Sequence, residues 1–568
     1  MPDKPNRVIE IHAAAPARRQ PRWQAKGRQP TERALDELRA LLGDAPRRRD
    51  LLIEHLHRIQ DHHNHLPDTL LVALAHEMRL SLAEVYETAS FYHHFDIVKD
   101  GAIEPSSLTV RVCGSLSCAM AGADKLKGQV ERLIGARRDV RVVEVPCIGR
   151  CDSAPAVAVG QHSVDRARAA EVLEAVSERR IEARVPAVVG YQAYVDRGGY
   201  RLVDELQDGS RSVDAVIAAL SEAGLRGLGG AGFPAGRKWQ IVRGQPAPRL
   251  VVVNIDEGEP GTFKDRYFLE RDPHRFIEGA LVAAQCVGAD AVYLYLRDEY
   301  AAGRMILERE LALLRAARPS LPAIHLRRGA GAYICGEESA LIESLEGKRG
   351  WPRLRPPYVA EVGLFGRPTL EHNMETLHWV RDIVEQGAEQ LTQHGRRGRR
   401  GLRAFSLSGR VNRPGVCIAP AGISVQELVE EYGGGMLPGH TLYGYFPGGA
   451  SGGMLPASLA QLPLDFDTLQ PHGCFIGSAA VIVFSQHDRA RDLALNAMRF
   501  FEHESCGQCT PCREGTQRAV ELMQKPAWDR RLLEELGAVM ADASICGLGQ
   551  AAPNPMLCAM KYFPQEFE

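Results

Sequence analysis

"VVVNIDEGEPGTFKDR", residues 251–266, starts as an unbroken run of valines and ends in dense charge. With the residues just before it, the segment reads "PRLVVVNI", the continuous apolar pattern of a strand covered on both faces. That strand ends at Asn254, and Asp256, Glu257 and Glu259 follow at its carboxyl end, where α/β sheets place their ligands. Charged and amide groups interleaved with Gly258 and Gly261 are costly to seat beside a core strand unless something binds them. A second buried run, "AVYLYLR", and the helical segments around both extend the α/β pattern to about residue 395.

The 568 residues predict about three or four domains at about 150 residues each. With 69 basic and 71 acidic residues the net charge is −2, so nothing global points to nucleic acid or a membrane surface. The most apolar long window, "FIEGALVAAQCVGADAVYLYL", is interrupted by Glu278, Gln285 and Asp290 and predicts a buried helix followed by a strand rather than a membrane span. Arg18–Arg19 have no apolar stretch after them, so an export signal is not expected and the location is read as cytoplasmic.

Organisation follows from changes in texture. Residues 1–30 read as a disordered basic tail and 31–100 as a helical region, with a capping-box spacing from Ser81 to Glu84. Residues 105–182 give a βαββα order that fits a small thioredoxin-like layer, and 183–212 a polar, Gly-containing linker. The α/β domain spans 213–395, a small α+β domain 402–487, and a helical segment 488–568.

Thirteen cysteines are too sparse for a secreted disulfide scaffold, and clustered thiols read as metal ligands in a reducing compartment. "HESCGQCTPCREG" sets Cys506, Cys509 and Cys512 in a C-x2-C-x2-C run, which resembles the ferredoxin way of holding a 4Fe–4S cube rather than paired zinc knuckles. The fourth ligand is Cys546, in a Gly-rich turn, with Cys558 as competitor. Cys113, Cys118, Cys147 and Cys151 form two pairs that fit a 2Fe–2S rhomb, with disulfides as the alternative. His62, His63, His65, His93 and His94 read as surface or packing residues.

"GLRGLGGAGF" contains Gly227-x-Gly229-x-x-Gly232, a formal dinucleotide fingerprint, but an amphipathic helix precedes it where that fingerprint needs a strand. Its glycines still expose N–H groups that suit a phosphate, and Lys238 follows within reach of one. In "GAGAYICGEESALIESLEGKRGWPR", Gly329, Gly331 and Gly336 surround Tyr333, and Glu337 and Glu338 come next. Such carboxylates accept from ribose hydroxyls and repel a 2′-phosphate, which favours NAD over NADP; a solvated helix start is the alternative.

Taken together, "ETASFYHHF", "PCIGRC", "GLRGLGGAGF", "NIDEGEPGTFKDR", "GAGAYICGEESALIESLEGKRG", "ESCGQCTPCREG" and "SICGLG" occur in the order found in two NADH-oxidising subunits of respiratory complex I. The chain resembles a fusion of the small 2Fe–2S subunit (31–180) and the flavin subunit (210–568), as also found in diaphorase subunits of NAD-linked formate dehydrogenases and hydrogenases. The resemblance implies a multidomain α/β chain: a helical segment, a thioredoxin-like 2Fe–2S domain, a Rossmann-like FMN/NADH domain, a ubiquitin-like α+β domain and a C-terminal bundle holding a 4Fe–4S cluster. It implies FMN bound by Gly227, Gly229, Lys238, Asn254, Asp256, Tyr333, Gly336, Asn373 and Thr376, with Gly230 and Gly232 in the same loop. Glu257, Glu259, Glu337 and Glu338 would line the NAD(H) side, and Phe233 and Tyr358 would stack on adenine. No side-chain acid or base is implied; Glu257, Glu259 and Lys238 position the cofactors. Leu228, Ala235 and His372 depart from the usual Arg, Ser/Thr and Asn, and His372 is expected beside the flavin. The complete Cys113/Cys118/Cys147/Cys151 set, which some hydrogenase-type fusions lose, points to a molybdenum or tungsten formate dehydrogenase subunit with further Fe–S clusters as partner, with no nucleic acid and no membrane.

Overall fold

The computed structural model describes residues 27–567, so most of the 1–30 tail lies outside the described residues. Four helices follow the periodicity read from the sequence: Glu32–Leu42, Leu52–His63, Asp68–Met78 and Leu82–Phe91. In the first, Leu35, Leu38 and Leu42 recur at helical spacing and are all buried. The predicted capping box is formed: Glu84 N donates to Ser81 Oγ at 3.2 Å and Ser81 N to Glu84 Oε2 at 3.0 Å. Two-residue strands, β1 (Leu66–Pro67) and β2 (Ile97–Val98), pair in parallel and close the unit. Buried Tyr92 fastens it to the next domain, its hydroxyl donating to the Lys348 carbonyl at 2.7 Å.

The thioredoxin-like layer contains β3 (Leu108–Cys113), β4 (Val140–Val145), β5 (Val157–Val159) and β6 (His162–Val164) in the order β4-β3-β5-β6. β3 and β4 are parallel, β5 and β6 antiparallel to their neighbours. The βαββα reading lacked β6, a short polar strand without the alternation that marks longer ones. It is formed because Gly160, at φ +61°, turns the chain through a two-residue hairpin.

The central sheet contains β7 (Arg249–Ile255), β8 (Ala289–Leu296), β9 (Ala323–Arg328) and β10 (Thr369–Asn373). All pairings are parallel and the order is β10-β7-β8-β9. Helix Pro273–Val287 joins β7 to β8 and is buried along most of its length, which explains the apolar 276–296 window. Because β8 and β9 extend from one edge of β7 and β10 returns to the other, the order reverses at β7, and the crevice outside the carboxyl ends of β7 and β10 is the switch point where such sheets bind ligands.

The 183–212 stretch is more than a linker: it carries helices Tyr191–Val195 and Arg201–Gln207. Tyr194 and Tyr200 are buried, donating to Glu278 at 2.5 Å and meeting His274 Nδ1 at 2.6 Å. The polar composition of the segment conceals these aromatic anchors.

Beyond it, β11 (Leu402–Gly409), β12 (Gly415–Pro420), β13 (Leu442–Phe446), β14 (Leu455–Pro456) and β15 (Ala480–Ser485) form a mixed sheet in the order β12-β11-β15-β13-β14, with β11 and β15 the parallel pair. The C-terminal region is helical: Ala490–Glu504, Thr510–Met523, Arg530–Ala543, Gly547–Ala551 and Asn554–Tyr562. Among the described residues no helix is long and apolar enough to cross a membrane.

Lys264 is 1% exposed, with Nζ 2.9 Å from Asp265 Oδ1 and 3.1 Å from Glu375 Oε2. It joins helix Lys264–Leu269 to helix Met374–His378, and both of its partners are equally buried. Lys264→Met leaves two carboxylates without a counter-charge in the interior, a change that costs ~3–5 kcal/mol. Calorimetry of the Lys264→Met chain is expected to show the central domain melting roughly 10 °C lower; an unchanged transition would mean that the carboxylates do not need the ammonium.

Candidate functional site

Three loops meet at the switch point. The first, 225–235, is pinched shut by Gly227 N donating to Phe233 O and Ala235 N to Leu225 O, both at 2.8 Å. It leans on the start of helix Met374–His378, where Leu228 N donates to Thr376 Oγ1 at 2.9 Å. Gly229 lies so close that a Cβ there would stand 3.0 Å from that of Asn373, and Gly232, at φ +66°, would meet the Phe466 ring at 2.7 Å. Gly229 and the Leu228 N–H are thus the part of this glycine loop that faces Asn373 and Thr376, while Gly230 faces Gly477.

The second loop leaves β7. Asn254 Oδ1 accepts from Asp256 N at 3.0 Å, and its Nδ2 donates to the Gly336 carbonyl at 2.9 Å, fixing the third loop, 329–338, against the second. A Cβ on Gly336 would approach the Asp256 carbonyl to 3.2 Å. Asp256 Oδ2 is buried without a hydrogen-bond partner among the described residues, and burial pushes this carboxyl well above the usual range. The glycine loop and the unsatisfied Asp256 carboxyl are features that fit a bound polar molecule with donors of its own.

The expected carboxylates divide into distinct environments. Glu259 accepts from Ser451 N at 2.6 Å and from the Tyr333 hydroxyl, while Tyr333 N donates to Glu504 at 2.8 Å. Glu257 faces inward, accepting from Asp265 N at 2.8 Å, Arg266 N at 3.1 Å and the Tyr300 hydroxyl at 2.8 Å. Burial and neighbouring Asp265 push it up to about 7. Glu337 caps helix Glu338–Leu345, accepting from Ser339 N at 3.0 Å and Ala340 N at 2.9 Å, and is paired with Arg355. Glu338 is less constrained, lying 3.0 Å from Arg355 and 3.5 Å from Lys238. Lys238 also meets Glu371 at 3.3 Å, so this cation sits between two carboxylates. Phe233 and Tyr358 present exposed rings.

His372 is buried in β10, and the Trp239 indole N–H donates to its Nε2 at 2.9 Å. An imidazole nitrogen that accepts is unprotonated, so the ring proton is on Nδ1; burial holds His372 neutral, well below its ordinary value. Sequence patterning assigns no role to one network beside it. Asn373 Nδ2 donates to Asp265 at 2.6 Å, and its Oδ1 accepts from Lys264 at 3.2 Å. The signal was the "KD" of "FKDR", whose charges become a pair only when β10 arrives beside β7.

The cysteines converge as two sets. Cys113, Cys118, Cys147 and Cys151 are buried at the ends of β3 and β4, with Cys147 and Cys151 Sγ 3.3 Å apart. All thirteen cysteines are free thiols, so the disulfide alternative is not realised. The 147–151 loop is docked on the second loop and on the end of β8: Arg297 donates to Cys147 O at 2.6 Å, Arg266 to Gly149 O at 2.9 Å, and Phe263 packs on Cys147 and Cys151. In the C-terminal helices Cys506, Cys509, Cys512 and Cys546 line one small pocket, walled by Ile334, Pro352, Ile545 and Leu548. Four thiols with no imidazole around an apolar cavity fit an iron–sulfur cube. Cys558 lies elsewhere, 3.6 Å from Cys474.

Comparison with known proteins agrees with this division. Family models match residues 38–180 (thioredoxin-like [2Fe-2S] ferredoxin), 220–382 (Nuo51 FMN-binding domain) and 492–568 (NADH-ubiquinone oxidoreductase-F iron-sulfur binding region). The chain therefore has FMN, 2Fe–2S and 4Fe–4S sites and an NADH-binding module. A solved NAD+-reducing [NiFe]-hydrogenase chain, in its air-oxidized state, superimposes with a TM-score of 0.81 at 32% identity, over 92% of this chain and 94% of that one. The F-type NADH-quinone oxidoreductase subunit of Aquifex aeolicus is 38% identical over 403 residues, 68% of this chain and 92% of the relative. An F-type NADH-quinone oxidoreductase subunit of Rhizobium meliloti is 41% identical over 392 residues, 66% of this chain and 92% of the relative. At that identity and coverage, the chain belongs to the family of F-type NADH-quinone oxidoreductase subunits, with a thioredoxin-like ferredoxin region ahead of the F-type part in the same polypeptide.

Proposed function

We propose that this chain is the diaphorase subunit of an NAD-linked formate dehydrogenase, exchanging hydride with NAD(H) and single electrons with a molybdenum- or tungsten-containing partner. Bound FMN supplies the hydride chemistry and the change from two-electron to one-electron steps. The observation that carries the reading is the sharing of loops. The turn Tyr333–Gly336 gives its Gly336 carbonyl to Asn254 in the crevice and its Ile334 side chain to the wall of the Cys506/Cys509/Cys512/Cys546 cavity. The loop after β7 carries Asp256 at one end and, through Phe263 and Arg266, supports the 2Fe–2S cysteine loop at the other. One crevice is thus joined to both cluster sites through single turns of chain.

In this reading the 225–235 glycines and Lys238 receive the flavin phosphate, and Asn254, Asp256, Asn373 and Thr376 hold the flavin. Glu259 and Tyr333 fix the edge between them, and Glu338 faces the adenosine ribose, with Phe233 and Tyr358 available for stacking. Glu257 and Glu337 act from behind, by holding helix N-termini in place. His372 acts through Trp239 on the helix that carries Lys238. Reduced, cluster-holding thiols are consistent with a cytoplasmic setting.

The complete set of four buried cysteines in the ferredoxin layer supports the formate reading. A hydrogenase partner is the second reading, favoured by the likeness to the hydrogenase chain along 92% of this one. Isolation of the native complex decides between them. Molybdenum or tungsten in the co-purifying subunit, with formate-dependent NADH formation, is the expected result, whereas nickel would move the chain to a hydrogenase.

Two substitutions test the sites. Cys546→Ser is expected to lower iron from about six to about two atoms per chain, and Cys558→Ser to leave it unchanged; iron loss confined to Cys558→Ser would reverse the assignment. Glu338→Gln is expected to raise the NADPH/NADH ratio of kcat/KM by about five- to tenfold, the effect of removing one repulsive charge near a 2′-phosphate. An unchanged ratio would remove Glu338 from nucleotide selection.

A further inference from the structure

We infer that His57 Nδ1, His94 Nε2 and the Asp61 carboxylate bind one divalent transition-metal ion of the zinc class, at the seam between the N-terminal helices and the central sheet. The inference does not depend on the identity of the partner subunit. His57 and Asp61 are four residues apart on helix Leu52–His63 and so share a face. His94 follows helix Leu82–Phe91, and its N–H donates to the Ala330 carbonyl at 3.3 Å. The three ligand atoms lie within 4.8 Å of one another.

Hydrogen bonds at the far side of each ring decide which nitrogen is available. His57 Nε2 lies 2.8 Å from the Gly329 carbonyl, and a carbonyl can only accept, so the proton is on Nε2 and the lone pair on Nδ1. His94 Nδ1 lies 2.9 Å from Asp298 Oδ2. A carboxylate oxygen accepts, so in the neutral ring the proton is on Nδ1 and the lone pair on Nε2. Both rings therefore aim a lone pair into the same space. His57 is 3% exposed, and neither His57 Nδ1 nor His94 Nε2 has a hydrogen-bond partner among the described residues. A carbonyl behind one imidazole and a carboxylate behind the other is the outer-shell arrangement that fixes metal-binding histidines.

The charges facing the space come from both sides of the seam. Arg328 donates to Asp61 at 2.5 Å and to Asp298 at 2.5 Å, and Arg304 lies within electrostatic reach of both carboxylates. The two carboxylates balance the two guanidiniums, so attraction for a cation rests on the imidazole lone pairs and on the Asp61 lone pairs that Arg328 leaves open. Two imidazoles and a carboxylate suit zinc better than calcium or magnesium. The Asp61 side chain is 47% exposed, which leaves a fourth position to solvent. Tetrahedral ligands at about 2.0 Å from zinc stand about 3.3 Å apart, so small side-chain rotations close the site. Gly329 and Ala330, which contact His57 and His94, form the base of the loop that carries Tyr333 and Gly336. An ion here would staple the N-terminal helices to the back of that loop.

The test uses the full-length holoprotein with flavin and iron quantified, stripped of loosely bound metal, and titrated with Zn2+ alone. The expected result is one tight site per chain, weakened about 100-fold or more in both His94→Gln and Asp61→Asn, and about 10–100-fold in Asp298→Asn, with iron and flavin content unchanged. Zinc-edge absorption should show nitrogen and oxygen neighbours at about 2.0 Å. Chelation should lower the melting temperature of the wild type but not of the two ligand variants. Absence of a stoichiometric site in the intact holoprotein would overturn the inference and leave water between the rings. Full affinity in both ligand variants would also overturn it, as would sulfur neighbours at about 2.3 Å, which would place zinc in a vacated cluster.

Discussion

Parallel pairing of β10 with β7 sets Asn373 opposite Asn254 at the carboxyl edge of the sheet. The two amides organise the crevice. Asn254 ties the loop after β7 to the 329–338 loop, and Asn373 joins the glycine loop to Lys264 and Asp265. A register slip of one residue would turn one of these amides to the opposite face of the sheet and release its loop. β10 is a short edge strand with two charged or titratable residues, Glu371 and His372, which are poor strand formers. What holds it is lateral: Lys238 on Glu371 and Trp239 on His372, both from helix Ala235–Arg243. Local propensity yields here to tertiary pairing.

The loop after β7 carries an unusual density of interior charge. Glu257, Lys264, Asp265 and Arg266 are all buried, with Arg297 beside them. Taking such groups out of water is costly, and pairing them recovers much of that cost without a large net gain in stability. What the arrangement gains is position. Arg266 and Arg297 both donate to main-chain carbonyls of the 147–151 loop, Arg266 also pairs with Asp152 at 2.8 Å, and Gly149 lies so close to Tyr300 that a Cβ there would collide with its hydroxyl, so the docking fixes the path of that loop.

The legible parts of the sequence were those whose signal is local. The valine run identified β7, the capping-box spacing identified the start of a helix, and cysteine spacing separated two sets of four. Cys546 could be preferred over Cys558 from its Gly-rich turn, and the structure puts Cys546 in the cavity with the other three thiols and Cys558 against Cys474. The less legible parts depend on long-range partners. β6 is too short and polar to show alternation, and Tyr194 and Tyr200 are anchors only because Glu278 and His274 wait on another helix. Glu257 and Glu259, two residues apart, face opposite tasks, one capping a helix and the other reaching Ser451 far along the chain. His94 looked like a surface or packing residue and His57 carried no signal at all, because the groups that orient them, Asp298 and Gly329, belong to a different domain.

The join between the ferredoxin layer and the flavin domain is made of polar contacts, among them Arg266 on Asp152 and Arg150 on Glu270, and of the Phe263 and Tyr300 rings. Contacts of that kind between separate chains would give a modest association, sensitive to dilution. In a single polypeptide the second domain is present at an effective concentration of order millimolar or more, set by the length of the connection rather than by expression level. The 183–212 segment, folded onto the flavin domain through its buried tyrosines, shortens that tether further. Fusion keeps the two redox modules in one-to-one register through their tether, so the surface between them is free to be shaped by the alignment of electron carriers.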